Sequence, residues 1–302
     1  MSPDRRVTVR VPAKVNVQLA VGAARPDGFH DLANVFLAVS LYDEVTATPA
    51  DSLRITCEGP DAGQVPLDRT NLAARAAELL AARHGLEPAV HLHIAKNIPV
   101  AGGMAGGSAD GAGALLACDT LWGLDTPRAD LLDICAELGS DVPFSLVGAA
   151  ALGTGRGEHL TPLEAGTFHW VFAVADGGLS TPAVFREFDR LTAGTAVPEP
   201  AASPALLAAL RSGDPDALAA NLANDLQPAA LSLRPQLAAT LDAGLGAGAL
   251  AALVSGSGPT TAFLVRDPEA ALKVAAALEA SATCRTTRTA TSPAPGATVL
   301  LP

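Results

Sequence analysis

The 302 residues, 49% of them hydrophobic, carry a net charge of −11 at pH 7. That length suits two ordinary domains, and that composition excludes a disordered chain. The acidic balance argues against a nucleic-acid partner, which wants a basic face, so an anionic ligand must be drawn in by a local field.

No run of about 18 apolar residues occurs, so neither a membrane span nor a membrane partner is expected. The opening MSPDRRVTVRV has no signal-peptide pattern. Cys57, Cys118, Cys135 and Cys284 lie far apart with no CxxC pair, which reads as reduced thiols of a cytoplasmic protein. The expected assembly is a monomer or weak homodimer.

In chain order, residues 7–11 and 15–21 alternate like strands on either side of Pro12 and Ala13. Strand character resumes at 38–48 and 53–57. Thr70 or Asn71 suits the cap of a helix running to Ala82. Residues 90–94, VHLHI, alternate strictly and put His91 and His93 on one face, which reads as a solvated strand face before it reads as a metal pair. A helix is expected over 109–122, and Thr126 with Pro127 marks the start of another that stops at Gly139. GTGRG at 153–157 closes the first half.

The second half opens on a strand at 170–175 and a helix from Thr181–Pro182 carrying Phe185, Phe188 and Leu191. A loose loop follows over 192–204, then a helix capped by Asp214–Pro215. Residues 250–254, SGSGPT, 261–265 and a helix from Asp267 form a strand–loop–strand–helix unit, with a last strand at 284–290. Strands and helices mix in both halves, so the fold class is α+β in two domains, 1–160 and 161–302, joined near 157–166.

The most informative stretch is NIPVAGGMAGGSADG at 97–111. Gly102, Gly103, Gly106 and Gly107 stand between a strand-like and a helix-like run, an arrangement suited to phosphate on backbone N–H groups. At Gly106 a β-branched side chain is expected to block that approach. No window supplies the spacing of a dinucleotide fingerprint, and Ser108 stands where a P-loop carries lysine. The loop therefore lacks its own cation, which must come from elsewhere. Only three lysines, Lys14, Lys96 and Lys273, occur against seventeen arginines, and two of them flank candidate segments.

PAKVN (12–16), the glycine loop, LGSDVPF (138–144) and GSGP (256–259) together resemble the GHMP kinase superfamily, in order and nearly end to end. PDGFHDL at 26–32 narrows the resemblance to the branch whose acceptor is 4-diphosphocytidyl-2-C-methyl-D-erythritol. The resemblance implies an N-terminal domain like ribosomal protein S5 domain 2, a ferredoxin-like C-terminal domain, and ATP with Mg²⁺ phosphorylating a hydroxyl of a small cytidine-diphospho substrate. It assigns Lys14 and Asp141 to catalysis. It places ATP near Asn71, Lys96, Pro99, Val100, Ala101, Gly102, Gly103, Met104, Ala105, Gly106, Gly107, Ser108 and Ala109. The substrate falls to Asn16, Phe29, His30, Thr181 and Phe185. The protein ligands of the metal stay unassigned.

The same residues have ordinary readings. Asp141, after the helix stop Gly139, suits a plain N-cap. Ser108 suits either an N-cap or a metal ligand, His30 a satisfied loop histidine, and Phe185 a core position beside Phe188. Phe29 replaces the family's usual tyrosine, and Ala105 disfavours the positive φ that a glycine there permits. Rival readings are a mevalonate or homoserine kinase of the superfamily, a non-catalytic ATP-binding regulator, and an RNA-binding protein. PDGFHDL, the Lys14–Asp141 pair and the acidic charge respectively oppose them.

Overall fold

The computed structural model describes residues 5–301. Its first half begins with two long antiparallel partners, β1 (Val7–Ala24) and β2 (His30–Pro49). The break expected at Pro12 does not occur. A register shift between Pro12 and Ala13 puts the proline at a bulge, where its missing N–H costs no ladder bond. A second shift falls at Asn16, beside the candidate site. β2 starts well ahead of the expected strand, because Arg25 N donates to the Phe29 carbonyl (2.7 Å) and Gly28 takes φ 83°. That tight turn feeds His30 directly into the ladder.

There follow β3 (Arg54–Glu58), α1 (Leu72–Arg83), β4 (Val90–Ala95), α2 (Gly106–Trp122), α3 (Arg128–Leu138), α4 (Val142–Val147), β5 (Ala150–Thr154) and β6 (His159–Pro162). Asn71 caps α1 by accepting from Ala73 N. Thr126 does not cap α3; its hydroxyl pairs with His84 Nε2 at 3.0 Å and the helix starts after Pro127. His91 and His93 share one face of β4, as the alternation requires, and both bond Thr56 Oγ1.

The second half contains β7 (Phe168–Val174), α5 (Thr181–Thr192), α6 (Pro204–Ser212), α7 (Pro215–Ala219), β8 (Ala223–Asn224), α8 (Gln227–Leu233), α9 (Gln236–Gly246), β9 (Ala251–Val254), β10 (Thr261–Val265), α10 (Pro268–Ala280), β11 (Thr286–Ser292) and β12 (Thr298–Leu300). Asp214 and Asp267 cap α7 and α10 as their positions demand. The four-stranded sheet β11-β7-β10-β9 is antiparallel throughout, with helices after its first and third strands, a ferredoxin-like order. The larger sheet runs β12-β1-β2-β4-β3, with β5 on β2, β6 on β5 and the short β8 beside β1. The chain thus returns twice to its first sheet.

α2 packs between α1 and that sheet and is buried along most of its length. Close approach is possible because Gly113 carries no side chain; a Cβ there would come within 2.8 Å of Val11 Cγ2 and 2.9 Å of Val45 Cγ2. The glycine loop is therefore mounted on a helix that is buried along most of its length.

Candidate active site

A cavity of about 830 Å³ opens where the two halves meet, within the range of small-ligand sites. β1 brings Lys14 and Asn16 to its floor, the start of α4 brings Asp141, and the loop before α2 forms one wall. The turn after β1 and the first residues of α5 form the opposite end.

Lys14 is buried, and its ammonium donates to Asn16 Oδ1 (2.7 Å) and the Gly103 carbonyl (3.0 Å). It lies 3.6 Å from Asp141 Oδ2. Asn16 is held in turn by donating to Asn34 Oδ1 at 2.6 Å. Burial pulls the Lys14 pKa below the ordinary lysine value, and the Asp141 carboxylate opposes that pull. Asp141 sits at the N-cap position of α4, yet its side chain caps nothing. The plain-cap reading therefore fails, and the carboxylate is left facing the ammonium and the cavity.

The loop owes its shape to two devices. Gly103 has φ 75°, and a Cβ on it would fall 2.0 Å from the Ser255 carbonyl, so only glycine fits. Ser255 Oγ and Lys14 Nζ both donate to the Gly103 carbonyl, while Thr260 N donates to Gly102 O. The GSGP segment thus braces the glycine loop from the other half of the chain. Ala105 takes the left-handed conformation its side chain resists, φ 60°, and α2 begins directly after it. No side chain caps α2 and no acidic residue occupies its first turn, so its leading N–H groups face the cavity free for an anion. Ser108 stands inside that first turn, lining the cavity, and is not a cap.

At the other end, half-exposed Phe29, buried His30 and Phe185 gather. The His30 and Phe185 rings lie 4.9 Å apart, and His30 Nε2 pairs with Asp189 Oδ1 at 2.8 Å. Thr181 Oγ1 meets Ser257 Oγ at 2.8 Å.

Several expected nucleotide contacts lie elsewhere. Lys96 is buried beneath the loop, with its ammonium between Asp43 Oδ2 (2.5 Å) and Asp110 Oδ2 (2.7 Å). It has no free face toward the cavity. Asn71 uses its side chain on Ala73 N and the Pro66 carbonyl. Pro99, Val100, Met104 and Ala109 are likewise absent from the lining; Met104 and Ala109 point into the core, and Val100 borders a separate small hollow. The cations that do line the cavity are Lys14, Arg156 and Arg186. Sequence reasoning missed both arginines and Asp189. The spacing of Phe185 and Asp189, one helical turn apart, was the available signal for the latter. It also missed Asn224, whose Nδ2 donates to the Val254 and Gly256 carbonyls and fixes the SGSG loop.

Known proteins share this chain's sequence and fold. The family model for the GHMP kinases N terminal domain matches residues 71–149, and that for GHMP kinases C terminal matches 206–283. A 4-diphosphocytidyl-2-C-methyl-D-erythritol kinase of Streptomyces avermitilis is 80% identical over 295 residues, covering 97% of this chain and 99% of its own. One from Thermobifida fusca is 59% identical, covering 99% of this chain and 100% of its own. A crystal structure of 4-(cytidine 5'-diphospho)-2C-methyl-D-erythritol kinase aligns with TM-score 0.78 at 31% identity, over 95% of this chain and 99% of that one. A homoserine kinase from Cytophaga hutchinsonii shares the fold, with TM-score 0.76 at 21% identity over 99% of each chain. This chain belongs to the 4-diphosphocytidyl-2-C-methyl-D-erythritol kinase family, a branch of the GHMP kinases.

Proposed function

We propose that the protein transfers the γ-phosphoryl of ATP to the 2-hydroxyl of 4-diphosphocytidyl-2-C-methyl-D-erythritol, a step of the non-mevalonate route to isoprenoid precursors. The observation that carries this reading is the Asp141 carboxylate 3.6 Å from the buried Lys14 ammonium, set between a bare helix N-terminus and an aromatic pocket. ATP phosphates rest on the N–H groups of Gly106, Gly107 and Ser108. Cytosine stacks at Phe29 and Phe185, with the His30 ring, oriented by Asp189, beside its edge. Asn16 and Thr181 hold the rest of the acceptor.

The acceptor hydroxyl oxygen forms the new bond to the γ-phosphorus as the bond to the bridging oxygen of ADP breaks. Asp141 takes the hydroxyl proton, and Lys14 steadies the charge growing on that oxygen. The Ser108 hydroxyl would give Mg²⁺ an oxygen ligand, and that ion takes only one or two ligands from protein when phosphates supply the rest. The ion neutralises phosphate charge when bound. Among the described residues, no group of three or more His, Cys, Asp or Glu side chains is placed to bind a metal unaided. We further read the protein as cytoplasmic, monomeric or weakly dimeric, and free of nucleic-acid or membrane partners; its four free cysteines and acidic charge support this, and no helix among the described residues is long and apolar enough to cross a membrane.

The test is ADP release with ATP and the cytidine-diphospho substrate, mevalonate or homoserine. Turnover is expected with the first alone, and comparable turnover of either other acceptor overturns the assignment. The loop gives a second expectation. A Cβ on Gly106 would point inward, 2.9 Å from Lys96 Nζ and 3.1 Å from Ile98 Cγ2, and not at the phosphate. A Cβ on Gly107 meets only Leu72 Cδ1, at 4.0 Å. Gly106→Val is therefore expected to destabilise the fold by about 1–3 kcal/mol. Gly107→Val should keep its melting temperature and lose roughly tenfold or more in ATP affinity. Calorimetric melting and ATP titration of both variants check the contrast.

A further inference from the structure

Arg156 has no place in the transfer just described, yet it is held with care. GTGRG forms the turn between β5 and β6, with Gly155 at φ 69° and Gly157 at φ 110°. The Gly155 carbonyl accepts from Leu32 N at 2.8 Å, which fastens the turn to β2 two residues beyond His30. Arg156 then donates twice to Glu158, from its backbone N to Oε2 (2.6 Å) and from Nε to Oε1 (3.2 Å). Burial works against a charged Glu158, but hydrogen bonds from its own backbone and from Arg156 outweigh it and hold its carboxyl below the ordinary range. So fixed, the guanidinium lies over the Phe29 ring, with Cζ 5.1 Å from the centroid.

Phe29 is 49% exposed at the rim of the cavity and sits at the tip of a hairpin turn. A ring so placed has few neighbours to fix its plane, and an unfixed ring is a poor platform for a base. We propose that Arg156 is a positioning residue for the acceptor: its guanidinium covers one face of Phe29 and holds the ring, so that the pyrimidine base of a cytidine-diphospho ligand stacks on the other. This rests on the substrate assigned above. A surface ion pair with Glu158 alone would contribute little. Stacking on the ring is what gives the arrangement a consequence, because a planar guanidinium suits an aromatic face as an ammonium does not.

Steady-state kinetics of the full-length protein test the idea, with Arg156→Ala, Phe29→Ala and the double variant. Arg156→Gln, which keeps a hydrogen-bonding side chain beside Glu158, serves as a second variant against misfolding. Arg156→Ala and Arg156→Gln are expected to raise the substrate KM roughly 3- to 10-fold, with kcat, the ATP KM and the melting temperature unchanged. In the Phe29→Ala background, Arg156→Ala should add nothing. An unchanged KM overturns the proposal. A lowered KM does too, since the guanidinium would then occupy the place of the base, and so does an equal KM rise without Phe29. A wild type that leaves the cytidine-diphospho substrate untouched removes the substrate assignment and this inference together; an active wild type with any of the three contrary results removes the inference alone.

Discussion

Asp141→Asn is expected to lower kcat on the order of 10²–10⁴-fold, the usual contribution of a general base, while melting temperature and ATP affinity stay near wild type. The structure sharpens this expectation, because the Asp141 side chain accepts no helix N–H and the amide leaves α4 as it was. What the amide removes is the proton acceptor and the one charge that supports Lys14. Lys14→Ala should be comparably damaging, and the double variant little worse than either single, since groups acting as a unit are not additive. A stable Asp141→Asn protein with near-normal kcat would exclude the carboxylate from the chemistry.

The pH profile supplies an independent reading of the same pair. Burial lowers the Lys14 pKa, so the alkaline limb of kcat should fall below the ordinary lysine range. Asp141 is the charge that raises that pKa against burial. Taking it away in Asp141→Asn should move the limb of the residual activity to lower pH still.

The second large effect is on stability and sits under the loop. Lys96→Met is expected to cost about 3–5 kcal/mol, the usual penalty for removing one partner of a buried charge cluster. At about 2 °C per kcal/mol for a chain of this size, the melting temperature drops roughly 6–10 °C. Two carboxylates, Asp43 and Asp110, are otherwise left in the core together. Asp43 keeps bonds from Asn97 N (2.6 Å) and Ile98 N (2.8 Å), whereas Asp110 Oδ1 is buried with no partner.

Burial, reinforced by Asp43 and opposed by Lys96, pushes the Asp110 carboxyl up to about 8. Folded protein therefore holds a proton that unfolded protein has released, between the ordinary aspartate range and that value. Stability should fall as pH rises through this window. Asp110→Asn should flatten the fall and gain on wild type as pH increases. Melting curves between pH 5 and about 8 for wild type and both variants check the sign. A Lys96→Met protein that melts like wild type but binds ATP poorly would return Lys96 to the nucleotide.

Lys96 shows why part of the site was not legible in the sequence. A rare lysine just ahead of a glycine loop reads as a phosphate ligand, but its partner Asp43 lies 53 residues upstream. Only the pairing of β2 with β4 brings them together. Contacts fixed by local chemistry were legible: the Asn71, Asp214 and Asp267 caps, the β9–SGSGPT–β10–α10 unit, and the segments that carry Lys14 and Asp141. Helices α8 and α9 were not, because the Ala- and Leu-rich stretch from 226 to 247 offers no capping side chain at either start. β12 was invisible for another reason: its three residues become a strand only against β1. Arg156 and Arg186 were passed over because an exposed arginine looks like any other until the fold shows which of them faces the cavity.

The placement of the glycine loop on a helix enclosed along most of its length has a bearing on how such enzymes diversify. A side chain at Gly103, Gly106 or Gly113 meets backbone or core atoms at once, so changes at these three positions carry a folding cost. The far wall is made of exposed or half-exposed residues such as Phe29, Thr181 and Arg186, where exchange leaves stability nearly intact. Mutational drift is thus channelled toward the exposed wall of the cavity, while those three glycines stay fixed.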